Sequence, residues 1–104
     1  TAYDNGWGVP EDDKEAFKWR RKAAEQGHVD AQYYFGVMYR NGNDGVIKDK
    51  VQAYVWWNIA AANGNERAKK WKTSVAKEMT KEQIAEAQKL SREMVEANPK
   101  LMGD

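Results

Sequence analysis

Apolar residues recur along most of the chain at helical spacing. Positions 53, 56, 57, 60 and 61 fall at i, i+3, i+4 and i+7, which gathers them on one face of an α-helix. Ala31, Phe35, Met38 and Tyr39 mark a second such face, and Ile84, Ala87, Leu90 and Met94 a third. The start signals agree with this pattern. Asp12 with Glu15, Asp49 with Gln52 and Thr80 with Gln83 each place a capping side chain three residues before a Glu or Gln. Met79 and Ile84 can act as a staple across the last of these starts. Gly27 and Gly64 follow helical runs where a left-handed residue is wanted, and Asn98-Pro99 closes the final run. The loop NGNDGV, residues 41–46, carries glycines suited to positive φ. The pattern predicts an all-α chain with helices at about 13–26, 29–41, 50–62, 66–79 and 81–97.

The helices belong to a repeat. Residues 9–31 align with residues 46–68: Val9 on Val46, Asp12 on Asp49, Ala16 on Ala53 and Trp19 on Trp56. Ala23-Ala24 fall on Ala60-Ala61, Gly27 on Gly64 and Ala31 on Ala68. Just upstream, Tyr3-Asp-Asn-Gly6 matches Tyr39-Arg-Asn-Gly42. Each unit reads as helix, glycine loop, helix.

Composition narrows the chemistry. The 104 residues suffice for one small domain, with 41% hydrophobic and 32% charged residues and a formal net charge of +1. The near-balance gives little support to nucleic-acid binding, and no apolar run approaches the ~20 residues of a membrane span. The absence of cysteine removes disulfides, thiolate zinc sites and a cysteine nucleophile. No targeting segment is visible, which leaves both the cytoplasm and a bacterial periplasm or envelope open.

Individual side chains each admit a functional and a plain reading. Trp56 has a counterpart in Trp19, as a packing position must, so it is assigned to the core. Trp57 corresponds to Arg20, so its ring is expected at an edge, against the closing helix near Leu90 or Met94, with partner binding as the alternative. His28 could serve as a general base. Its counterpart is Asn65, and both stand where a helix N-cap belongs. Ser74 and Ser91 lie inside helical runs without a histidine at triad-like spacing, which makes a hydrolase a poor reading. Glu11-Asp12-Asp13 lacks the ligand alternation of a calcium loop and suits a helix N-terminus. KWRRK, residues 18–22, reads as a solvated face more readily than as an anion site. No cofactor or metal site is indicated.

Ala31, Phe35-Gly36, Tyr39, Gly42, Gly45-Val46, Asp49, Ala53, Trp56, Ala60-Ala61 and Gly64 resemble, in order and spacing, the pattern of the Sel1-like repeat family, relatives of the tetratricopeptide repeats. The match covers about residues 1–79, and the tail MTKEQIAEAQKLSREM is similar to the closing helix of bacterial members. In the third unit Lys72-Thr73 stand where the family has Leu-Gly, which suits a terminal unit. The resemblance implies a right-handed α/α superhelical solenoid over 1–104. Its parts would be a partial repeat at 1–28, a complete one at 29–65, the start of a degenerate one at 66–79, a capping helix at 80–98 and a tail at 99–104. It also implies a non-catalytic role: binding a protein or peptide on the concave surface lined by the first helix of each repeat. Carried onto this sequence, that surface comprises Tyr33, Tyr34, Val37 and Arg40, with Lys70, Trp71, Ser74 and Lys77 at matching positions. Tyr34 and Trp71 would align as rungs of one aromatic stripe, or simply pack between helices. Two other readings stand beside this one: an envelope-associated hydrolase or peptidoglycan-related enzyme, and a structural or oligomerisation element. For the last, most of the first repeat's opening helix is expected to lie upstream of Thr1. Trp19 and its neighbouring alanines would then be bare, and an end-to-end dimer could form through them.

Overall fold

The computed structural model describes residues 10–42 and 47–103, with the backbone alone for residues 10–14. Five α-helices follow in order: α1 (Pro10–Glu25), α2 (Val29–Asn41), α3 (Lys50–Ala62), α4 (Glu66–Ala76) and α5 (Lys81–Ala97). A single 3₁₀ turn, Pro99–Met102, comes last. No strand occurs among the described residues. α3 lies centrally, against α2, α4 and α5, while α1 packs on α2.

The caps set the boundaries. His28 accepts the Ala31 N–H through Nδ1 at 3.2 Å, and Asn65 accepts the Ala68 N–H at 2.8 Å, as their equivalence predicts. Thr80 and Gln83 complete a reciprocal capping box. Asp49 caps α3 by accepting from Val51 and Gln52, but the predicted return bond from the Gln52 side chain is replaced. The Asp49 N–H donates to the Tyr39 carbonyl at 2.8 Å and ties the ends of α2 and α3 together. Gly27, Gly42 and Gly64 adopt φ of 93°, 70° and 99°.

Two boundaries move. α1 begins at Pro10 rather than 13, because proline at the first helical position is preset for the helix and the acidic residues behind it favour its N-terminus. Asp12 therefore lies in the first turn and is not the cap; its side chain falls outside the described residues, as do Gly45 and Val46. α4 ends at Ala76, short of 79, and the Thr80 cap starts the next helix.

α3 is buried nearly all round, with Ala53, Tyr54, Val55, Trp56, Trp57, Ile59 and Ala60 inside, as befits a helix with neighbours on three sides. Trp56 is core, its ring 5.3 Å from Phe35, whose other side meets Phe17 edge-on at 5.2 Å. Its counterpart Trp19 is 65% exposed, as expected. The alanines beside it are not bare: Ala24 is fully buried and Ala23 partly so, because α2 lies over that side of α1.

Candidate partner-binding face

Trp57 does not behave as an edge residue. It is 1% exposed, and its ring is seated against Gly36 of α2 and Trp71 of α4 rather than at an edge. Gly36 is the cause. A Cβ there would collide with the Trp57 indole, so only glycine leaves the slot the ring fills. Once seated, the indole N–H donates to the Tyr33 carbonyl at 3.1 Å.

Trp57 also stacks on Trp71, centroids 6.0 Å apart and planes 30° apart. The same contact recurs one repeat earlier. Arg20, the counterpart of Trp57, lies 4.4 Å over the ring of Tyr34, the counterpart of Trp71. The substitution of Arg by Trp that marked position 57 as irregular is therefore two chemistries filling one role. In each case a residue of one helix backs an aromatic ring on the first helix of the following unit. Tyr34 and Trp71 remain 37% and 45% exposed, so each ring is supported behind and open in front.

The other residues singled out divide. Lys70, Ser74 and Lys77 are exposed on or just beyond α4. Arg40 reaches across to Glu78 at 3.0 Å, and Lys50 approaches the same carboxylate at 3.4 Å, which links the end of α2 to the turn after α4. Tyr33 and Val37 are only half-exposed and pack on the core, because Trp57 is drawn under their helix. The residues left exposed, Tyr34, Lys70, Trp71, Ser74 and Lys77, are thus aromatic, basic or hydroxyl-bearing, while Val37 packs on the core.

A second polar centre escaped the sequence reading. The fully buried Gln32 side chain donates to the carbonyls of Ala24, at 2.9 Å, and Leu101, at 2.7 Å. Asn63 donates to Gln32 Oε1 at 2.8 Å and to Leu101 O at 2.9 Å, and Asn98 donates to Glu25 O at 3.0 Å. With Leu101 buried beside them, these amides fasten the 3₁₀ turn to the ends of α1, α2 and α3, so residues 99–102 are integral to the fold. The repeat does not carry the set: Gln32 falls on Lys69 and Asn98 on Ala61, and of the three only Asn63 falls on an amide, Gln26. A hint lay only in Leu101, an apolar residue just beyond Asn98-Pro99.

An open cleft of ≈ 330 Å³ between α3 and α5 is lined by Asn58, Ile59, Ala62, Ser91 and Arg92. The Ser91 hydroxyl there donates to Ala87 O at 2.9 Å, an ordinary intrahelical bond. His28 is engaged at the α2 cap, away from both serines in sequence and role. Among the described residues no helix is long and apolar enough to cross a membrane.

Helical hairpins repeated at a fixed interval and packed one on the next define a helical solenoid. The chain belongs to the Sel1 repeat family: the model of the Sel1 repeat matches residues 1–28 and 29–65. The chain is 38% identical over 60 residues to chitin synthase regulator SKT5 of Malassezia restricta, covering 58% of this chain and 4% of that protein. It is 37% identical over 57 residues to SKT5 of Saccharomyces cerevisiae, covering 55% and 8%. It is 34% identical over 64 residues to the Sel1-repeat-containing protein YjcO of Escherichia coli, covering 60% and 28%. The chain thus spans less than a third of these relatives' lengths. Among solved structures, a protective antigen of uropathogenic Escherichia coli strains displaying an SLR fold superposes with a TM-score of 0.80 at 36% identity, over 97% of this chain and 22% of that one.

Proposed function

We propose that the chain is a non-catalytic module that binds a protein or peptide on the face carrying Tyr34 and Trp71, the concave side of the solenoid. One observation carries the reading. The two rings stand at equivalent repeat positions, each backed by a neighbour and open in front, whereas Phe35, Trp56 and Trp57 are consumed by the core. Aromatic and arginine side chains supply most hot spots of protein interfaces, and rings already held in place lose little freedom on binding. The names of the SKT5 relatives, which are regulators, accord with a role exercised through a partner. The combined variant Tyr34→Ala, Arg40→Ala, Trp71→Ala should lose binding on a peptide array while keeping its helical circular dichroism. Retained binding would overturn the assignment.

A second reading, self-association through α1, is favoured by Trp19, which is 65% exposed with the Lys22 ammonium 5.1 Å from its ring. Sedimentation velocity should then show a concentration-dependent dimer that Trp19→Ser removes. A monomer at all concentrations dismisses this reading.

A further inference from the structure

The charges on this face are not those of the chain as a whole. The chain carries 17 basic and 16 acidic residues. On α4 and its cap, Arg67 and Ser74 share the Trp71 face at i−4 and i+3 and Lys70 and Lys77 flank it, three cations against the single carboxylate of that helix, Glu66. Among the described residues none of the three cations has a carboxylate within ion-pair distance. Glu78, at the edge, is already held between Arg40 and Lys50. Arg20 adds a further cation over Tyr34. By contrast, the exposed side of α5 mixes both signs, with Glu82, Glu86, Glu93 and Glu96 among Lys81, Lys89 and Arg92.

We infer that the partner of this face is an acidic linear segment of a protein, with carboxylates on the Lys70 and Lys77 side and an apolar side chain between Tyr34 and Trp71. This rests on the binding reading given above and names the partner's chemistry. The spacing fits such a segment. Lys70 and Lys77 are separated by about 10 Å along the helix axis, the reach of roughly three residues of extended chain. Tyr34 and Trp71 each leave part of an aromatic ring open to an apolar side chain. A nucleic-acid strand fits less well. Asp30, the counterpart of Arg67, is an exposed carboxylate on α2, against a continuous run of phosphates.

The test titrates the full chain, observed through its tryptophan indole N–H signals in a ¹⁵N–¹H spectrum, with four probes. These are a ten-residue peptide with glutamates flanking a central Leu-Phe pair, its glutamine twin, its lysine twin, and a ten-nucleotide oligothymidine. The acidic peptide should shift the Trp71 signal and bind about 10-fold more tightly than the glutamine twin, the combined effect of two exposed ion pairs. That preference should vanish in Lys70→Gln, Lys77→Gln and at high salt. Equal affinity of the acidic and glutamine peptides, both shifting Trp71, overturns the acidic preference and leaves the binding face standing. Peptides that shift other signals but not Trp71 overturn both. Tighter binding of the lysine twin or of oligothymidine, or no binding by any peptide, overturns the inference.

Discussion

Gly36 and Trp57 form the pair on which the candidate face depends. The ring lies where a side chain at 36 would be, donates to the backbone at Tyr33, and supports Trp71 from behind. Gly36→Ala should therefore destabilise the fold by about 1–3 kcal/mol, the usual cost of overfilling a packed site. It should also disturb the Trp71 indole signal, although position 36 does not reach the surface. Thermal unfolding and the same ¹⁵N–¹H spectrum check both effects; an unchanged Trp71 signal would show that the stack does not depend on Trp57. The repeat comparison identified Trp56 as core. It misplaced Trp57, because an arginine and a tryptophan share no hydropathy while filling one geometric role. The pairing of positions 20 with 34 and 57 with 71 is spatial, between helices, and no spacing along the chain expresses it.

At the level of elements, local chemistry was largely readable. His28, Asn65, Asp49 and Thr80 all cap the helices their positions suggested, since a cap is decided by three or four consecutive residues. The start of α1 was missed because Pro10 competes with Asp12 as a start signal, and proline at the first helical position prevailed. Thr80 is the cap with the most consequence, for it begins the helix that packs along α3. Thr80→Ala removes its bond to the Gln83 N–H and should cost about 1 kcal/mol, visible as a lowered denaturant midpoint with unchanged slope. Thr73 explains why the third unit departs from the pattern. It stands where Gly36 stands in the complete repeat, and its side chain would close the slot that received Trp57. Accordingly α5 brings no tryptophan and starts six residues ahead of the position a 37-residue offset from α3 would give, Lys81 against 87.

For the whole molecule, the repeat disclosed the solenoid but not what holds its far end. Gln32 and Asn63 meet the Leu101 carbonyl, and Asn98 meets that of Glu25, through contacts that no period encodes. Leu101→Ala should destabilise by roughly 2–5 kcal/mol, because it empties a buried site and loosens the carbonyl that two amides share. Loss of protection should appear by amide exchange in the last turn of α1, far away in sequence; an effect confined to residues near 101 would contradict the linkage. Gly27 makes the same dependence steric: a Cβ there would meet the Lys100 carbonyl and the Gly103 backbone at 2.6 Å.

Stacked repeats ordinarily touch only their neighbours, so they can melt from one end like a zip. Here one bond joins residues 69 positions apart and another residues 73 apart. They turn an open stack into a closed circuit. The entropy of closing so long a loop exceeds that of a short one only logarithmically, so the circuit costs little more than a local contact once the helices exist. It follows that the array should lose its zip-like melting, unfold in one cooperative step, and complete folding only once residues 98–101 have docked.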